Sequence, residues 1–273
     1  MADFIKTPRG VFYVKQTGPD HARPIMFVAG LGDDHASWDA PIESLSQKYR
    51  CVTYDNRGIG RSPITDGPYT TRQMAEDAQA IADQIGLQKL VAAGSSTGGA
   101  ICQEWALAQP ETVEQLVLSN TWGGADAWFS ALIEHWIQLA ARGAGPDILY
   151  QLALFCFSPE YLSKHPDTIE EFLATDLPNR TGFAAAGRAC QTHDALDRLD
   201  SISAPTLIIG GSHDILTRPD LSQALAAALP AAKLAWLPAG HMTFWERPHE
   251  WAQLVDSFVS ELENQPPETR LRR

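Results

Sequence analysis

Two adjacent serines stand within a run of small residues, VAAGSSTGGA, which an apolar run precedes and a helical pattern follows. Ser96 has Gly94 two residues before it and Gly98 two residues after it, which completes the pattern Gly-x-Ser-x-Gly. For Ser95 the residue two positions later is Thr97, whose side chain is too large for the tight turn that this pattern forms. A serine hydroxyl in such a turn is placed for nucleophilic attack. The pattern therefore predicts that Ser96 is a nucleophile.

A nucleophilic serine needs a base to take its proton, and that base is most often a histidine oriented by a carboxylate. Asp214, in LIIGGSHDILT, comes just past an apolar run, and His241, in WLPAGHMTFWERP, follows the last such run. The chain order serine, acid, histidine is the one found with the Gly-x-Ser-x-Gly turn. We predict a catalytic triad of Ser96, Asp214 and His241. Asp126 is the alternative acid and His213 the alternative base.

Acyl transfer through a serine creates a negatively charged oxygen that two backbone N–H groups must stabilise. One should come from the residue after the nucleophile, Thr97, whose amide lies at the start of a helix. The other should come from the loop GLGDDHASW, where Leu31 stands between Gly30 and Gly32 and the backbone can approach a substrate closely. The amides of Leu31 and Thr97 are therefore the predicted oxyanion hole.

Short apolar runs alternate with helical patterns along most of the chain. The runs are continuously apolar, which is typical of strands covered on both faces in a mostly parallel sheet. This alternation predicts an α/β fold in which helices flank a mostly parallel central sheet. The predicted strands are 11–14, 24–30, 51–55, 89–94, 115–120, 205–211 and 232–239, and the helices lie at roughly 70–86, 98–109, 218–229 and 247–263.

Residues 122–203 interrupt that alternation. The segment is rich in alanine, leucine and aromatic residues and predicts four or five helices without a strand. We predict a core of residues 1–121 and 204–265, a helical cap (lid) at 122–203 over the carboxyl edge of the sheet, where ligands bind, and a polar tail at 266–273. The candidate substrate-binding residues are Trp38, Trp122, Trp128, Phe155, Phe157 and Met242, and Phe129 and Trp136 are further possible lining residues.

The chain has 273 residues and a formal net charge of −12. Such an acidic surface repels nucleic-acid phosphates and anionic lipids, so we expect a small-molecule substrate as partner, with neither nucleic acid nor membrane. No run approaches the roughly 20 apolar residues that cross a bilayer, and the N-terminus lacks the apolar segment of a secretion signal. Four scattered cysteines without metal-ligand spacing predict buried thiols in a reducing compartment. We expect a cytoplasmic monomer or homodimer with no metal.

Four motifs, YDNRGIGRS, GSSTGG, GGSHD and AGHMTFWERP, occur together in this order. In them the chain resembles the α/β-hydrolase superfamily, and the resemblance covers nearly its whole length. Within the superfamily, VAGLGDDHASWDAPIESLSQKYRCVTYDNRGIGRS is similar to 3-oxoadipate enol-lactonases and the related aminoacrylate hydrolases. Where many members have His-Gly, this chain has Ala29-Gly30, which is nearer to the pattern of those two groups. The resemblance implies an α/β-hydrolase fold and a serine hydrolase that needs no cofactor.

These observations predict hydrolysis of a carboxylic ester or lactone of a small, partly apolar molecule through an acyl-enzyme. The same triad could instead act on a carbon–carbon or amide bond or in perhydrolysis, and the fold could also serve a ligand-binding receptor with slow turnover. An enol-lactonase that acts on a dicarboxylate would need basic residues near its substrate. The cap supplies few of them, namely Arg142, Lys164, Arg180, Arg188 and Arg198.

Overall fold

The computed structural model describes residues 2–174, 177 and 179–263. Within them, eight strands form a single sheet in the order β1-β2-β4-β3-β5-β6-β7-β8. The strands are β1 (Ala2–Thr7), β2 (Gly10–Thr17), β3 (Pro24–Val28), β4 (Arg50–Tyr54), β5 (Leu90–Ser95), β6 (Val113–Ser119), β7 (Thr206–Gly211) and β8 (Ala232–Leu237). β2 is antiparallel to both β1 and β4, and all other neighbours are parallel. The prediction of a mostly parallel sheet is confirmed.

The first strand, β1, was not among the predicted strands. It lies at the edge of the sheet and pairs with β2. Most of its residues are exposed. An exposed edge strand does not need a continuous apolar run, so it lacks the pattern that identifies the buried strands.

Eleven α-helices lie within the described residues. They are α1 (Asp39–Leu45), α2 (Thr71–Gln84), α3 (Thr97–Ala108), α4 (Ala127–Ala141), α5 (Gly145–Cys156), α6 (Pro159–Lys164), α7 (Thr168–Ala174), α8 (Arg180–Thr192), α9 (Pro219–Ala228), α10 (Thr243–Glu246) and α11 (Pro248–Glu263). The four helices predicted for the core correspond to α2, α3, α9 and α11. Helix α2 begins where the Thr70 hydroxyl accepts a hydrogen bond from the backbone N–H of Gln73, which is a regular N-cap.

Alternate residues of each central strand face opposite sides of the sheet, and both sides are buried. In β3, Ile25 and Phe27 join an apolar cluster with α1, α11 and the helices between β6 and β7. Met26 and Val28 join a second cluster with α2 and α3 on the other side. All four side chains are fully buried. Burial on both faces explains why such strands are continuously apolar in the sequence.

Five helices, α4 to α8, lie between β6 and β7, where the helical segment was predicted. Helix α4 packs against α8, and α5 packs against α7. A single β-bridge between Gly124 and Asp194 joins the two ends of the segment. Next to it, His193 is hydrogen-bonded to Thr71 of α2 at 3.0 Å and to Gln103 of α3 at 3.2 Å. Burial lowers the pKa of His193 to about 4, so the imidazole that anchors this segment is neutral at pH 7.

The loops that follow β3, β5, β7 and β8 leave the sheet at the same edge because these strands are parallel. They carry Leu31, Ser96, Asp214 and His241, in that order. No helix of the described residues is long and apolar enough to cross a membrane. The predicted polar tail, 266–273, and the last two residues of the predicted core, 264–265, lie outside the described residues.

Candidate active site

Ser96 occupies a sharp turn between β5 and α3. Its backbone has φ 55° and ψ −123°, a left-handed conformation that non-glycine residues rarely adopt. The backbone N–H of Ser96 donates to the carbonyl of Ser119 at 2.9 Å, which fixes the turn to β6. A Cβ atom on Gly94 would overlap the carbonyl of Gly98, and one on Gly98 would overlap the carbonyl of Val28. Both glycines are therefore required because the backbone segments approach closely. The sequence pattern predicts the same requirement, since the tight turn leaves no room for a side chain at these two positions.

The side chains of Asp214 and His241 are in contact with each other, and both residues are buried. The Nδ1 atom of His241 lies 2.9 Å from Oδ2 of Asp214. The other carboxylate oxygen, Oδ1, accepts the backbone N–H groups of Leu216 at 2.8 Å and Thr217 at 2.9 Å. The Thr217 hydroxyl donates to Oδ2 at 2.8 Å. These bonds hold the carboxylate in one orientation and leave Nε2 of His241 free to act on another group.

Asn120 supplies a further donor to the same carboxylate. Its Nδ2 lies 2.9 Å from Oδ2 of Asp214 and 3.3 Å from the carbonyl of Gly240. Its Oδ1 accepts the hydroxyl of Thr243 at 2.6 Å. Like Ser96, Asn120 has a positive φ, 46°. An amide that supports Asp214 was not predicted, because a single asparagine carries no recognisable sequence pattern.

The pKa of Asp214 is lowered despite its burial. Burial is the largest single influence and would raise this pKa, but the charge of His241 and hydrogen bonds from His241, Asn120 and Thr217 outweigh it. The carboxyl group is therefore ionised at neutral pH, the state in which it can orient and stabilise a protonated imidazole.

Ser96 and His241 lie on the wall of one small cavity of about 30 Å³. Within the described residues the Ser96 hydroxyl makes no hydrogen bond, and such contacts often tighten only when substrate binds. The remaining wall is largely apolar. It includes Phe129, Ile133, Trp136, Leu152, Cys156, Phe172, Cys190, Leu216 and Met242.

The backbone N–H groups of Leu31 and Thr97 have no hydrogen-bond acceptor among the residues that the structure describes, and both residues line the cavity. Gly30 brings the two segments together, since a Cβ placed on it would lie 3.3 Å from Cβ of Ser96. The Thr97 hydroxyl is hydrogen-bonded to the thiol of Cys190 in α8 at 3.0 Å. Two free donors beside Ser96 can stabilise a developing negative charge.

The motif YDNRGIGRS fixes the loop that carries Leu31. The buried carboxylate of Asp55 accepts the backbone N–H of His35 at 2.9 Å and that of Arg61 at 2.8 Å, and lies 2.6 Å from Nδ1 of His35. The side-chain amide of Asn56 donates to the carbonyl of Ala29 at 3.0 Å. These bonds join the loop after β4 to the loop after β3, so the motif has a structural role at the site.

Of the six predicted substrate-binding residues, Met242 lines the cavity that holds Ser96 and the other five lie outside its wall. Trp38 is fully buried and stacks on Phe244 at 4.4 Å within the core. Trp122 is also fully buried and packs on Phe129, with ring centroids 4.4 Å apart. A substrate pocket and a packed core both use large apolar side chains, so the sequence pattern does not distinguish the two roles.

The three other aromatic candidates also lie outside the cavity wall. Phe157 is buried and stacks on Tyr161, with ring centroids 5.2 Å apart. Trp128 is exposed and lies under the guanidinium group of Arg218. The ring of Phe155 is tilted against that of Trp128, with centroids 6.4 Å apart. Phe129 and Trp136, which were the further possible lining residues, do line the cavity. Helical phase within α4 and α5 decides this, and it could not be fixed from composition.

The alternative acid and base are engaged elsewhere. Asp126 caps α4 by accepting the N–H of Phe129 at 2.7 Å, and it forms an ion pair with Arg218 at 2.6 Å. His213 is exposed on the loop of Asp214. Neither lines the cavity that holds Ser96. The structure brings Ser96, Asp214 and His241 to one site and leaves these two alternatives outside it.

One group of potential metal ligands was found among the described residues. Asp34, His35 and Asp55 have ligand atoms within 4.8 Å of one another. Each already has a protein partner, because Asp34 accepts the N–H of Ala36 at 2.8 Å and His35 is bonded to Asp55. These hydrogen bonds explain why the three side chains lie together: they stabilise the loop after β3.

The sheet order, the turn at Ser96 and the paired Asp214 and His241 define the class of protein. The chain belongs to the alpha/beta hydrolase fold family, whose model matches residues 23–248. It is 29% identical over 88% of its length to "Putative carbamate hydrolase RutD" of Azorhizobium caulinodans, of which 92% is covered. It is 27% identical to 3-oxoadipate enol-lactonase 1 of Acinetobacter baylyi, covering 92% of this chain and 93% of that one.

The fold is also that of a solved enol-lactonase from Burkholderia xenovorans. The two structures superpose with a TM-score of 0.89 at 23% identity, over 94% of this chain and 100% of the other. The chain is thus a hydrolase of the α/β-hydrolase fold, as its resemblance to this superfamily implied.

Proposed function

We propose that this protein hydrolyses a carboxylic ester or lactone of a small, partly apolar molecule through an acyl-enzyme on Ser96. The observation that carries the proposal is the shared cavity of Ser96 and His241, with Nδ1 of His241 held 2.9 Å from Asp214. A serine in a strained turn and an imidazole oriented by an ionised carboxylate are the parts that nucleophilic acyl transfer needs.

The reaction proceeds in two halves. Nε2 of His241 takes the proton of Ser96 as Oγ attacks the carbonyl carbon, and the amides of Leu31 and Thr97 stabilise the oxyanion. The tetrahedral intermediate collapses, the ester C–O bond breaks, and His241 returns the proton to the departing alcohol. Water then attacks the acyl group, gives a proton to His241, and the acid leaves as that proton returns to Ser96. Asp214 stays ionised and stabilises the imidazolium in both halves.

The cavity wall supports a substrate with an apolar body, because aromatic and aliphatic side chains of α4, α5 and α7 surround the serine. We propose that α4 to α8 act as the cap of the site. All four cysteines are buried free thiols, which supports the cytoplasm as location. The size of the assembly, monomer or homodimer, stays a prediction.

Hydrolysis of a carbamate or amide is the second candidate. It is favoured by the relative named for carbamate hydrolysis, whereas the enol-lactonase relative favours the lactone. The same serine, histidine and amides would serve both reactions, since each passes through a tetrahedral oxyanion.

The proposal is tested with p-nitrophenyl esters, a lactone series and aryl carbamates, assayed on the wild type, Ser96→Ala and Ser95→Ala. We expect esters or lactones to be turned over by the wild type and kcat to fall by about 10⁴-fold or more in Ser96→Ala. Ser95→Ala, which removes the neighbouring hydroxyl, should keep turnover within about tenfold of the wild type. Equal activity of Ser96→Ala and the wild type would contradict the proposal.

A further inference from the structure

Asp33 places a carboxylate on the wall of the catalytic cavity. Its Oδ2 lies 3.1 Å from the position that a Cβ on Gly30 would take, and Cβ of Ser96 lies 3.3 Å from the same position. The carboxylate and the nucleophile therefore flank Gly30, next to the residue that supplies one of the two free amides. A group attached close to the reacting carbonyl of a substrate would come near Asp33.

The side chain of Asp33 has no hydrogen-bond or ion-pair partner among the residues that the structure describes, unlike the neighbouring acids. Asp34 caps a 3₁₀ turn, and Asp55 accepts two backbone N–H groups. Burial raises the pKa of Asp33 to about 6, against the opposing charge of His241 and with a small further rise from Asp34. A carboxyl group that folding leaves without donors is available to a ligand.

The surroundings of Asp33 are acidic on the side that leads away from Ser96. An adjoining cavity shares Leu31, Asp33, Leu152 and Phe172 with the catalytic one and is also lined by Asp34 and by Glu171 of α7. Within the described residues neither cavity is lined by a lysine or an arginine.

Two other titratable groups interact with Asp33, namely His241 after β8 and the thiol of Cys156 in α5. Burial holds the pKa of this thiol well above its usual value, so it is neutral. Asp214 and His241 are already paired with each other. The charge that an incoming substrate meets at this wall is therefore negative.

We infer that Asp33 determines specificity by selecting esters or lactones that carry a cationic group, such as an ammonium, close to the reacting carbonyl. This inference rests on the proposed function, whose substrate class it narrows. An ammonium would pair with the carboxylate in a cavity where apolar walls strengthen the attraction, and the aromatic rings of Phe129 and Trp136 would favour it further. An anionic acyl chain would place two negative charges in the same enclosed space and is disfavoured.

The test uses three p-nitrophenyl esters whose acyl chains end in trimethylammonium, tert-butyl or sulfonate. The first two have the same shape and differ in charge, and none of the three termini titrates. For the wild type we expect the trimethylammonium ester to have the highest kcat/KM and the sulfonate ester the lowest. In Asp33→Asn the ratio of trimethylammonium to tert-butyl should fall about tenfold, equivalent to about 1.4 kcal/mol.

Glu43→Gln is the matched control, because it removes one negative charge from an exposed position on α1 outside the site. It should leave the ratio within about twofold of the wild type, since exposed charges at a distance are screened. Thermal melting of both variants establishes that they are folded. We expect Asp33→Asn to fold because asparagine has the shape of aspartate and the substitution removes no hydrogen bond between described residues. An unchanged ratio in Asp33→Asn, or a wild-type preference for the sulfonate ester, would overturn the inference.

A binding measurement separates this inference from the proposed function. The tert-butyl and trimethylammonium esters are titrated into Ser96→Ala, with and without Asp33→Asn. The intrinsic tryptophan fluorescence, to which Trp136 in the cavity wall contributes, reports binding. If the trimethylammonium ester binds more tightly only when Asp33 is present, but the wild type hydrolyses no ester, the proposed hydrolysis is contradicted and cation selection by Asp33 is supported. Hydrolysis that depends on Ser96, with binding and rates indifferent to Asp33, would support the function and contradict the inference.

Discussion

Two carboxyl groups at the site experience opposite environments. Asp214 receives backbone, hydroxyl, amide and imidazole donors, and its pKa lies below the usual value. Asp33, on the wall of the cavity, receives no donor from the described residues, and burial raises its pKa to about 6. Carboxyl groups whose surroundings move their pKa values apart are typical of functional sites in which the two have different roles.

Ionisation of Asp33 should lower the free energy of unfolding of the protein. Its pKa is 3.8 for an unperturbed carboxyl and about 6 in the folded chain, so the folded state binds the proton more tightly. Stability from this group is therefore present at low pH and is lost as pH rises from about 4 to about 6. We expect Asp33→Asn to be more stable than the wild type by about 1–3 kcal/mol at pH 7.5.

That difference between variant and wild type should shrink as the pH approaches 4, where both side chains are neutral. Urea unfolding at the two pH values measures it, and comparison at the same pH cancels the titration of His193 and other groups. Equal stability of wild type and variant at both pH values would contradict the partly buried, unpartnered state of Asp33.

Asn120 should act on catalysis through Asp214. Asn120→Asp replaces a donor by a second carboxyl group against Oδ2 of Asp214, so the two must share a proton and His241 loses part of its ionised partner. We expect kcat to fall by about tenfold or more, with KM changed much less. A steady-state pH profile of a neutral ester checks this, and a fall confined to KM would contradict the positioning role.

At the level of elements, the turn between β5 and α3 depends on close packing of backbone against backbone. The sequence was sufficient to locate this turn, because both glycines and the flanking strand and helix leave a pattern. Residues such as Asn120 and Asp33 leave none, since their importance arises from neighbours far away along the chain. Strand β1 escaped prediction for a related reason, because an exposed edge needs no apolar run.

Gly98→Ala should disrupt this turn, because the added methyl group would overlap the carbonyl of Val28 in the first buried parallel strand. We expect a loss of about 3 kcal/mol in the free energy of unfolding, measured by urea denaturation. Gly145→Ala is the control at the start of α5, where an added Cβ meets Leu177 at an ordinary 3.5 Å. It should change stability by less than about 1 kcal/mol, and a similar loss in both variants would contradict steric necessity at Gly98.

On the scale of the whole molecule, the fold collects loops from separate parts of the chain at one sheet edge. The parallel direction of the central strands could be predicted from the alternation of buried strands and helices, and it brings Leu31, Ser96, Asp214 and His241 to the same edge of the sheet. The wall formed by α4 to α8 could not be predicted to the same detail. Which faces of these helices turn toward Ser96 depends on their packing against one another, and so Trp136 of α4 lines the cavity while Trp128 of the same helix is exposed.

The net charge of −12 should also affect the approach of charged substrates. An acidic surface attracts cations over distances that salt screens, with a Debye length of about 10 Å at 0.1 M. We expect kcat/KM of the trimethylammonium ester to fall by about threefold or more between roughly 0.02 M and 0.5 M salt. The tert-butyl ester is the control and should change little. Equal salt dependence of the two esters would contradict steering by the molecular field.

The most direct test of the account is to locate the covalent intermediate. The wild type and His241→Gln are treated with a fluorophosphonate, digested, and mapped by mass spectrometry. We expect one equivalent of adduct on Ser96 in the wild type and at least about a 100-fold slower reaction in His241→Gln. An adduct on Ser95 or on a cavity cysteine, with Ser96 unmodified, would contradict it.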